Sequence, residues 1–157
     1  MEELVTILKR KNKTIAAMES CTGGGFANAV TNIEGCSDVI KYSAVTYSNE
    51  YKIKMGVSKK VIDEYSVYSI ETAKEMSKAI SLFANSNYGI GITGKLNRFD
   101  KNNLYGENNK VFISIYDNGD NKFYTNEINV TKETRDSNKE LVINEIVDML
   151  KEILVKE

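Results

Sequence analysis

Apolar residues recur at spacings of three and four along much of the chain, a period that predicts helices with one buried face. Leu4, Ile7 and Leu8 follow this spacing near the start of the sequence. The predicted helices cover residues 2–11, 26–35, 58–65, 69–84 and 134–155, and a short polar helical segment ends at Gly56. Ser58 and Ser69 stand at the starts of two of these helices, where a hydroxyl can cap the free N–H groups of the first turn.

Short apolar runs between these helices predict strands. The run "TIAAM" at 14–18 is apolar throughout, which is typical of a strand buried on both faces of a sheet. The other predicted strands are "YSAVTYS" at 42–48, "YGIGITG" at 88–94, "KVFISIYD" at 110–117 and "KFYTNEINV" at 122–130. The turn sequence "NGDN" lies between the last two and predicts a hairpin.

The order of these elements predicts the fold class. Strands alternate with helices, and a hairpin and a long helix close the chain, so we expect one three-layer α/β domain over residues 1–157, with helices on both faces of a mixed sheet. Ligands of such sheets bind beyond the carboxyl ends of the strands. The segments that follow the strands at 14–18, 42–48 and 88–94 are therefore expected to share one rim.

Composition narrows the classes of function. The 157 residues are 41% hydrophobic and carry a formal net charge of −1, which gives no reason to expect binding to nucleic acid or to an anionic membrane. The N-terminus is acidic where a signal peptide is basic, and no stretch approaches the roughly 20 apolar residues of a membrane span. We expect a cytoplasmic protein.

The chain contains no histidine and only two cysteines, Cys21 and Cys36. This composition gives no plausible tetrahedral set of metal ligands, and it excludes Ser-His-Asp and Cys-His catalysis. A nucleophile in this chain must therefore use lysine, a carboxylate or tyrosine as its base.

The turn "ESCTGGG" at 19–25 joins a predicted strand to a predicted helix. Ser20 and Thr22 can each cap that helix, or Ser20 can be a nucleophile. The glycines leave backbone N–H groups open to a phosphate or to the oxyanion of a tetrahedral intermediate. Cys21 is either a small buried side chain or a thiol whose pKa is lowered at a helix N-terminus.

A second polar segment, "TYSNEYK" at 46–52, follows the next predicted strand. It is either a solvated loop or part of a site. Lys52 matters in the second case, because an amine can activate a serine when burial or a neighbouring cation lowers its pKa and keeps it neutral.

The sequence "GIGITG" formally matches a dinucleotide-binding motif, but no helix opens after Gly94, so we reject that interpretation. Gly89 and Gly91 are expected to let a helix pack closely on the sheet. Thr93 and Gly94 stand at the strand end, where they can line a site.

Arg135 and Lys139 lie one turn apart at the start of the last predicted helix. They form either a solvated face or a binding site for an anionic ligand.

Together, "AMESCTGGGFA", "VTYSNEYKIKMGVS", "YSIETAKEMSKA" and "GITG", in this order and spacing, resemble the CinA C-terminal domain family over nearly the whole chain. Stand-alone members of that family are nicotinamide mononucleotide (NMN) deamidases. The resemblance implies an amidohydrolase that converts NMN to nicotinate mononucleotide and ammonia without a metal or cofactor. It also implies a homo-oligomer, with a dimer expected.

The family's catalytic pair falls on Ser20 as nucleophile and Lys52 as base. Tyr47 and Thr93 match positions that line the family's site, and Arg135 or Lys139 is expected to meet the substrate phosphate. The remaining expected site residues are Glu19, which orients the lysine or its neighbours, Gly94, and Thr22, Gly23 and Gly24, whose turn can hold the oxyanion.

The chain departs from the family pattern after Gly94. Family members usually continue with a loop like G-I-A-G-P-x-G-G, whereas this chain has "KLNRFDKNN". Lys95 or Arg98 is a candidate to replace the lost contacts to phosphate. The departure also motivates two alternatives: a catalytically silent nucleotide-binding or regulatory module, and the same chemistry on a different amide.

Overall fold

The computed structural model describes residues 1–156. Its strands are β1 (Ile15–Glu19), β2 (Ile40–Val45), β3 (Tyr88–Gly94), β4 (Lys110–Asp117) and β5 (Lys122–Asn129). Its helices are α1 (Glu2–Arg10), α2 (Gly25–Thr31), α3 (Asn49–Lys54), α4 (Lys59–Tyr65), α5 (Ile70–Ala84) and α6 (Arg135–Lys156), with a 3₁₀ turn at Cys36–Asp38.

The five strands form one mixed sheet in the order β2-β1-β3-β4-β5. The strand β1 lies between β2 and β3 and is parallel to both, and β3 is the central strand. The strand β4 is antiparallel to both β3 and β5. The carboxyl ends of β1, β2 and β3 therefore meet at one edge, as the alternation of strands and helices predicts.

Helices cover both faces of the sheet, which confirms the α/β fold. Ile15 and Ala17 of β1 pack in a core with α1, α2 and α6, while Ala16 and Met18 pack in a second core with α4 and α5. Because alternate side chains of a strand point to opposite faces, the unbroken apolar run of β1 fills both cores.

The helix α5 packs directly on β3, where glycines leave room for it. A Cβ atom at Gly89 would lie 2.7 Å from Cβ of Ser81 and would overlap the carbonyl oxygen of Ser77. A Cβ atom at Gly91 would lie 2.7 Å from the backbone nitrogen of Ser77. The expected role of these two glycines in close helix packing is confirmed.

The predicted helix caps are confirmed at Ser58 and Ser69, whose hydroxyls accept hydrogen bonds from Val61 N at 3.4 Å and Thr72 N at 3.1 Å. Within the described residues, no helix is both long enough and apolar enough to cross a membrane.

Two boundaries differ from the predictions by three residues or more. The strand expected at 42–48 is Ile40–Val45, because the chain turns after Val45 and Ser48 caps α3 by accepting a hydrogen bond from Tyr51 N at 3.3 Å. The helix expected at 26–35 ends at Thr31, and the chain then reverses through Gly35, whose φ of 75° is left-handed.

Candidate active site

Ser20 and Lys52 come together at the carboxyl edge of the sheet. Ser20 follows β1, and Lys52 lies on α3, the short helix after β2. The Lys52 Nζ donates hydrogen bonds to Ser20 Oγ at 3.2 Å and to the backbone carbonyl of Thr46 at 2.7 Å. Adjacent parallel strands therefore bring together two residues that are far apart in the sequence.

The surroundings of the Lys52 amine raise its neutral fraction above that of an exposed lysine. The residue is only 1% exposed. Burial lowers its pKa from 10.5 to about 8, and Cys21 opposes this shift only in part. A group with this pKa is neutral in roughly a tenth of molecules at pH 7, so the amine can accept a proton from a neighbouring hydroxyl.

Cys21 is a packing residue. It is 4% exposed, and burial raises the pKa of its thiol to about 12. The thiol is therefore protonated at neutral pH, because burial outweighs the nearby positive charges of Lys52 and Arg135. Of the two roles considered from the sequence, the structure favours the buried small side chain.

Glu19 organises the turn between β1 and α2. It is fully buried, and its carboxylate accepts hydrogen bonds from a ring of surrounding donors. These donors are Thr22 Oγ1 at 2.7 Å, the backbone N–H groups of Gly24, Phe26 and Ala27 at 3.1, 3.1 and 2.9 Å, and Ser43 Oγ at 3.3 Å. The carboxylate was expected to orient the lysine or its neighbours, and it orients the turn that carries Ser20.

Neither Ser20 nor Thr22 caps α2, because the carboxylate of Glu19 occupies the N–H groups at the start of that helix. The glycines bend the chain: Gly23 and Gly24 have left-handed φ values of 62° and 90°. Their N–H groups are also occupied, Gly23 N by the carbonyl of Ser20 and Gly24 N by Glu19. Over residues 1–156, the N–H groups of Cys21 and Thr22 carry no such bond.

A cavity of about 750 Å³ opens beside Ser20. Of the predicted site residues, Ser20, Tyr47, Gly94 and Arg135 line it. Gly94 cannot carry a side chain, because a Cβ atom would lie 2.5 Å from the carbonyl oxygen of Lys110. The segment after Gly94 contributes most of the remaining wall, and Lys95 and Arg98 are among its residues.

The structure does not bring all the predicted residues to this cavity. Thr22, Gly23, Gly24 and Lys139 line a second cavity of about 490 Å³, against the start of α6. Thr93 is fully buried, and its Oγ1 donates a hydrogen bond to the carbonyl of Val67 at 2.8 Å. Thr93 thus holds the chain before α5 at the end of β3.

Sequence reasoning missed Tyr68 and Asp100. The Tyr68 hydroxyl donates a hydrogen bond to the Asp100 carboxylate at 2.5 Å, and both residues line the main cavity. Burial, with the carboxylate as a second cause, raises the pKa of Tyr68 well above its usual value of 10. The available signal was the departure of the segment after Gly94 from the family pattern, which drew attention to Lys95 and Arg98 but gave no partner for Tyr68.

The fold places this chain among the α/β proteins with a mixed five-stranded sheet. The buried serine–lysine pair lies at the carboxyl ends of the parallel strands of that sheet. The sequence profile of the CinA C-terminal domain matches residues 1–154. The chain belongs to the CinA C-terminal domain family.

Relatives and solved structures agree with this assignment. A protein named as competence-damage inducible in Clostridium botulinum is 38% identical over 135 residues, which are 82% of this chain and 31% of that protein. Another with the same name in Thermoanaerobacter is 45% identical over 96 residues, 60% of this chain and 23% of that protein. The chain therefore matches about a quarter to a third of the length of these relatives.

Among solved structures, a CinA superfamily protein from Klebsiella pneumoniae has a TM-score of 0.87 at 22% identity and covers 99% of this chain and 98% of its own. A competence/damage inducible protein from Agrobacterium tumefaciens has a TM-score of 0.84 at 23% identity and covers 95% of this chain and 92% of its own. At this level of identity, the likeness concerns the fold.

Proposed function

We propose that this chain hydrolyses the carboxamide of NMN to nicotinate mononucleotide and ammonia through an acyl-enzyme on Ser20. The observation that carries the proposal is the 3.2 Å contact between Lys52 Nζ and Ser20 Oγ, with the lysine buried and its pKa lowered to about 8. Membership of a family that includes NMN deamidases supports the choice of substrate.

In the first half of the reaction, the neutral amine of Lys52 accepts the hydroxyl proton of Ser20. The alkoxide then attacks the carboxamide carbon, and the oxygen of that group becomes an oxyanion. The N–H group of Cys21, a residue that lines the cavity beside Ser20, is the donor proposed for it. The C–N bond breaks when Lys52 returns its proton to the leaving nitrogen, so ammonia departs and an ester remains on Ser20.

In the second half, water replaces the serine as the nucleophile. Lys52 accepts a proton from the water as it attacks the ester carbon, and the bond to Ser20 Oγ breaks. The proton returns to Ser20, which restores the hydroxyl, and nicotinate mononucleotide is released. The carbonyl of Thr46 keeps the amine in place through both halves, because it accepts one hydrogen bond from Nζ at 2.7 Å.

The proposal is tested by measuring ammonia release from NMN. We expect turnover by the unchanged protein and a loss of at least about a thousandfold in kcat for Ser20→Ala and for Lys52→Ala, because each removes a group that bonds or transfers a proton in the transition state. Ser37→Ala and Lys54→Ala are the matched controls, since both positions are exposed. Their rates should stay close to that of the unchanged protein.

A silent binding or regulatory module is the second candidate, favoured by the rewritten segment after Gly94, which lines the cavity. Calorimetric binding of NMN without ammonia release would support that module and contradict hydrolysis of NMN. Release of ammonia from other pyridine amides but not from NMN would instead move the same chemistry to a different substrate.

A further inference from the structure

The segment 95–109 forms one wall of the main cavity, and side-chain contacts fasten it to the opposite rim. Tyr68, just before α5, donates its hydroxyl hydrogen bond to Asp100. Asn49, at the start of α3, donates from Nδ2 to Asn103 Oδ1 at 3.3 Å. The segment that departs from the family pattern is thus attached to α3, which carries Lys52, and to the chain just before α5.

Lys95 is the buried cation of this wall. It is 3% exposed and lines the cavity. Its Nζ reaches the carbonyl of Gly106 and Oδ1 of Asn108 only at 3.5 Å, longer than an ordinary N–H···O bond of about 2.7–3.2 Å. It also lies 5.1 Å from the centre of the Tyr68 ring. Within residues 1–156, Lys95 has no carboxylate in ion-pair range.

A buried ammonium with such weak contacts is costly unless a charged partner completes its surroundings. Asp100 is the acidic residue that lines the cavity, but its carboxylate accepts hydrogen bonds from Tyr68, Asn102 and Asn103. The charge of Lys95 does act on that carboxylate. However, the carboxylate is held by other donors and forms no ion pair with Lys95 in the described residues, so an anion that enters the cavity would complete the surroundings of Lys95.

The charge of the cavity wall points the same way. Four cationic side chains line it against one carboxylate, although the whole chain has a net charge of −1. The cations are Lys95, Arg98, Lys101 and Arg135. Such an excess at a concave surface attracts a dianion such as a phosphate monoester.

We propose that Lys95 binds the phosphate group of the ligand in this cavity, and that the segment 95–109 thereby determines which ligands enter. This inference rests on the proposed function for the identity of the nucleotide. The interaction with Lys95 requires only that the ligand carry a phosphate monoester. The proposal assigns the phosphate to the main cavity. Lys139 lines the second cavity and therefore takes no part in binding it.

The test is calorimetric titration with ribose 5-phosphate, using ribose as the uncharged probe. We expect the unchanged protein to bind ribose 5-phosphate and to bind ribose far more weakly. Lys95→Gln should weaken the binding of ribose 5-phosphate by at least about tenfold, the usual loss for a hydrogen bond to a charged group. The matched control is Lys60→Gln, which makes the same change of net charge at an exposed position on α4 and should leave the affinity unchanged.

A second variant and a second measurement keep the proposal testable if Lys95→Gln fails to fold. Lys95→Met keeps the aliphatic stem beside Tyr68 and removes the charge. In the unchanged protein, backbone amide shifts on adding ribose 5-phosphate should concentrate at 94–108. Shifts concentrated at 22–25 and 139 would overturn the proposal, as would unchanged affinity in a folded Lys95 variant or no binding of ribose 5-phosphate at all.

The failure of this inference is distinguishable from failure of the proposed function. Binding of ribose 5-phosphate that depends on Lys95, without ammonia release from NMN, would support the phosphate site and contradict the proposed deamidase activity. If Lys95→Gln changes neither kcat nor KM for ammonia release from NMN, the result would support the deamidase activity and contradict the proposed phosphate site.

Discussion

At the scale of single residues, the proposed chemistry depends on the burial of one lysine. The residue types of the pair could be predicted, because a chain without histidine that carries Ser20 and Lys52 in two polar turns has few other ways to activate a hydroxyl. The lowered pKa could not be predicted, since it results from the 1% exposure of Lys52 and not from any neighbour in the sequence.

This pKa predicts the pH dependence of the proposed reaction. Protonated Lys52 cannot accept the proton of Ser20, so kcat/KM for NMN should rise with pH and level off above about 8. The measurement is the rate of ammonia release across the range from about pH 6.5 to about 9.5. A flat profile over that range, with chemistry rate-limiting, would rule out Lys52 as the base.

At the scale of elements, the turn between β1 and α2 was predicted in position but not in its contacts. Three glycines indicated a sharp bend, and Gly23 and Gly24 do adopt left-handed φ values. The cap was not predictable from local rules, because the carboxylate of Glu19 reaches N–H groups up to Ala27, far beyond the spacing of an ordinary cap. A strand residue therefore caps the helix that follows it.

Replacing Glu19 with Gln tests this arrangement. The amide loses the negative charge and turns an NH₂ group toward N–H donors, so we expect the free energy of unfolding to fall by about 2–4 kcal/mol. Glu34→Gln, an exposed carboxylate, should change it by less than about 0.5 kcal/mol. Denaturant unfolding gives both values, and equal stability of the two variants would contradict the proposed role of Glu19.

The segment 95–109 is the element about which the sequence said least. Its polar composition predicted no regular structure, correctly, but the contacts that fix it join residues distant in the chain, such as Tyr68 with Asp100. Long-range pairs of this kind leave no periodic signal. The involvement of Lys95 was a hypothesis from its position after Gly94, and its burial supplies the physical argument.

At the scale of the whole molecule, the alternation of elements was sufficient to predict a mixed sheet with helices on both faces. The strand order was not predictable, because nothing in the local patterns states that β3 lies between β1 and β4. The distance between the sheet and the layer of α5 depends on glycine, because α5 approaches β3 so closely that Gly89 has no room for a methyl group.

Gly89→Ala tests that closeness. The added Cβ would overlap backbone of α5 at Ser77, so the sheet and the helix layer must separate, and we expect a loss of about 2–4 kcal/mol in the free energy of unfolding. Gly119→Ala in the hairpin turn is the control, because its Cβ would lie 3.3 Å from Asp117 Oδ1 and meet no backbone. A thermal melt of Gly89→Ala that matches this control would contradict the packing argument.

The proposed catalytic pair comes from the first 52 residues of the chain, whereas much of the cavity wall comes from the segment after β3. Under the proposed function, the residues that react and many of those that recognise the ligand therefore lie in separate stretches of the sequence. Such a division lets one stretch be exchanged while the other stays constant. We therefore expect a chimera with a relative's loop in place of 95–109 to keep the proposed reaction and to bind a different set of substrates. Under this proposal, substrate selectivity can change during evolution by replacement of one continuous segment.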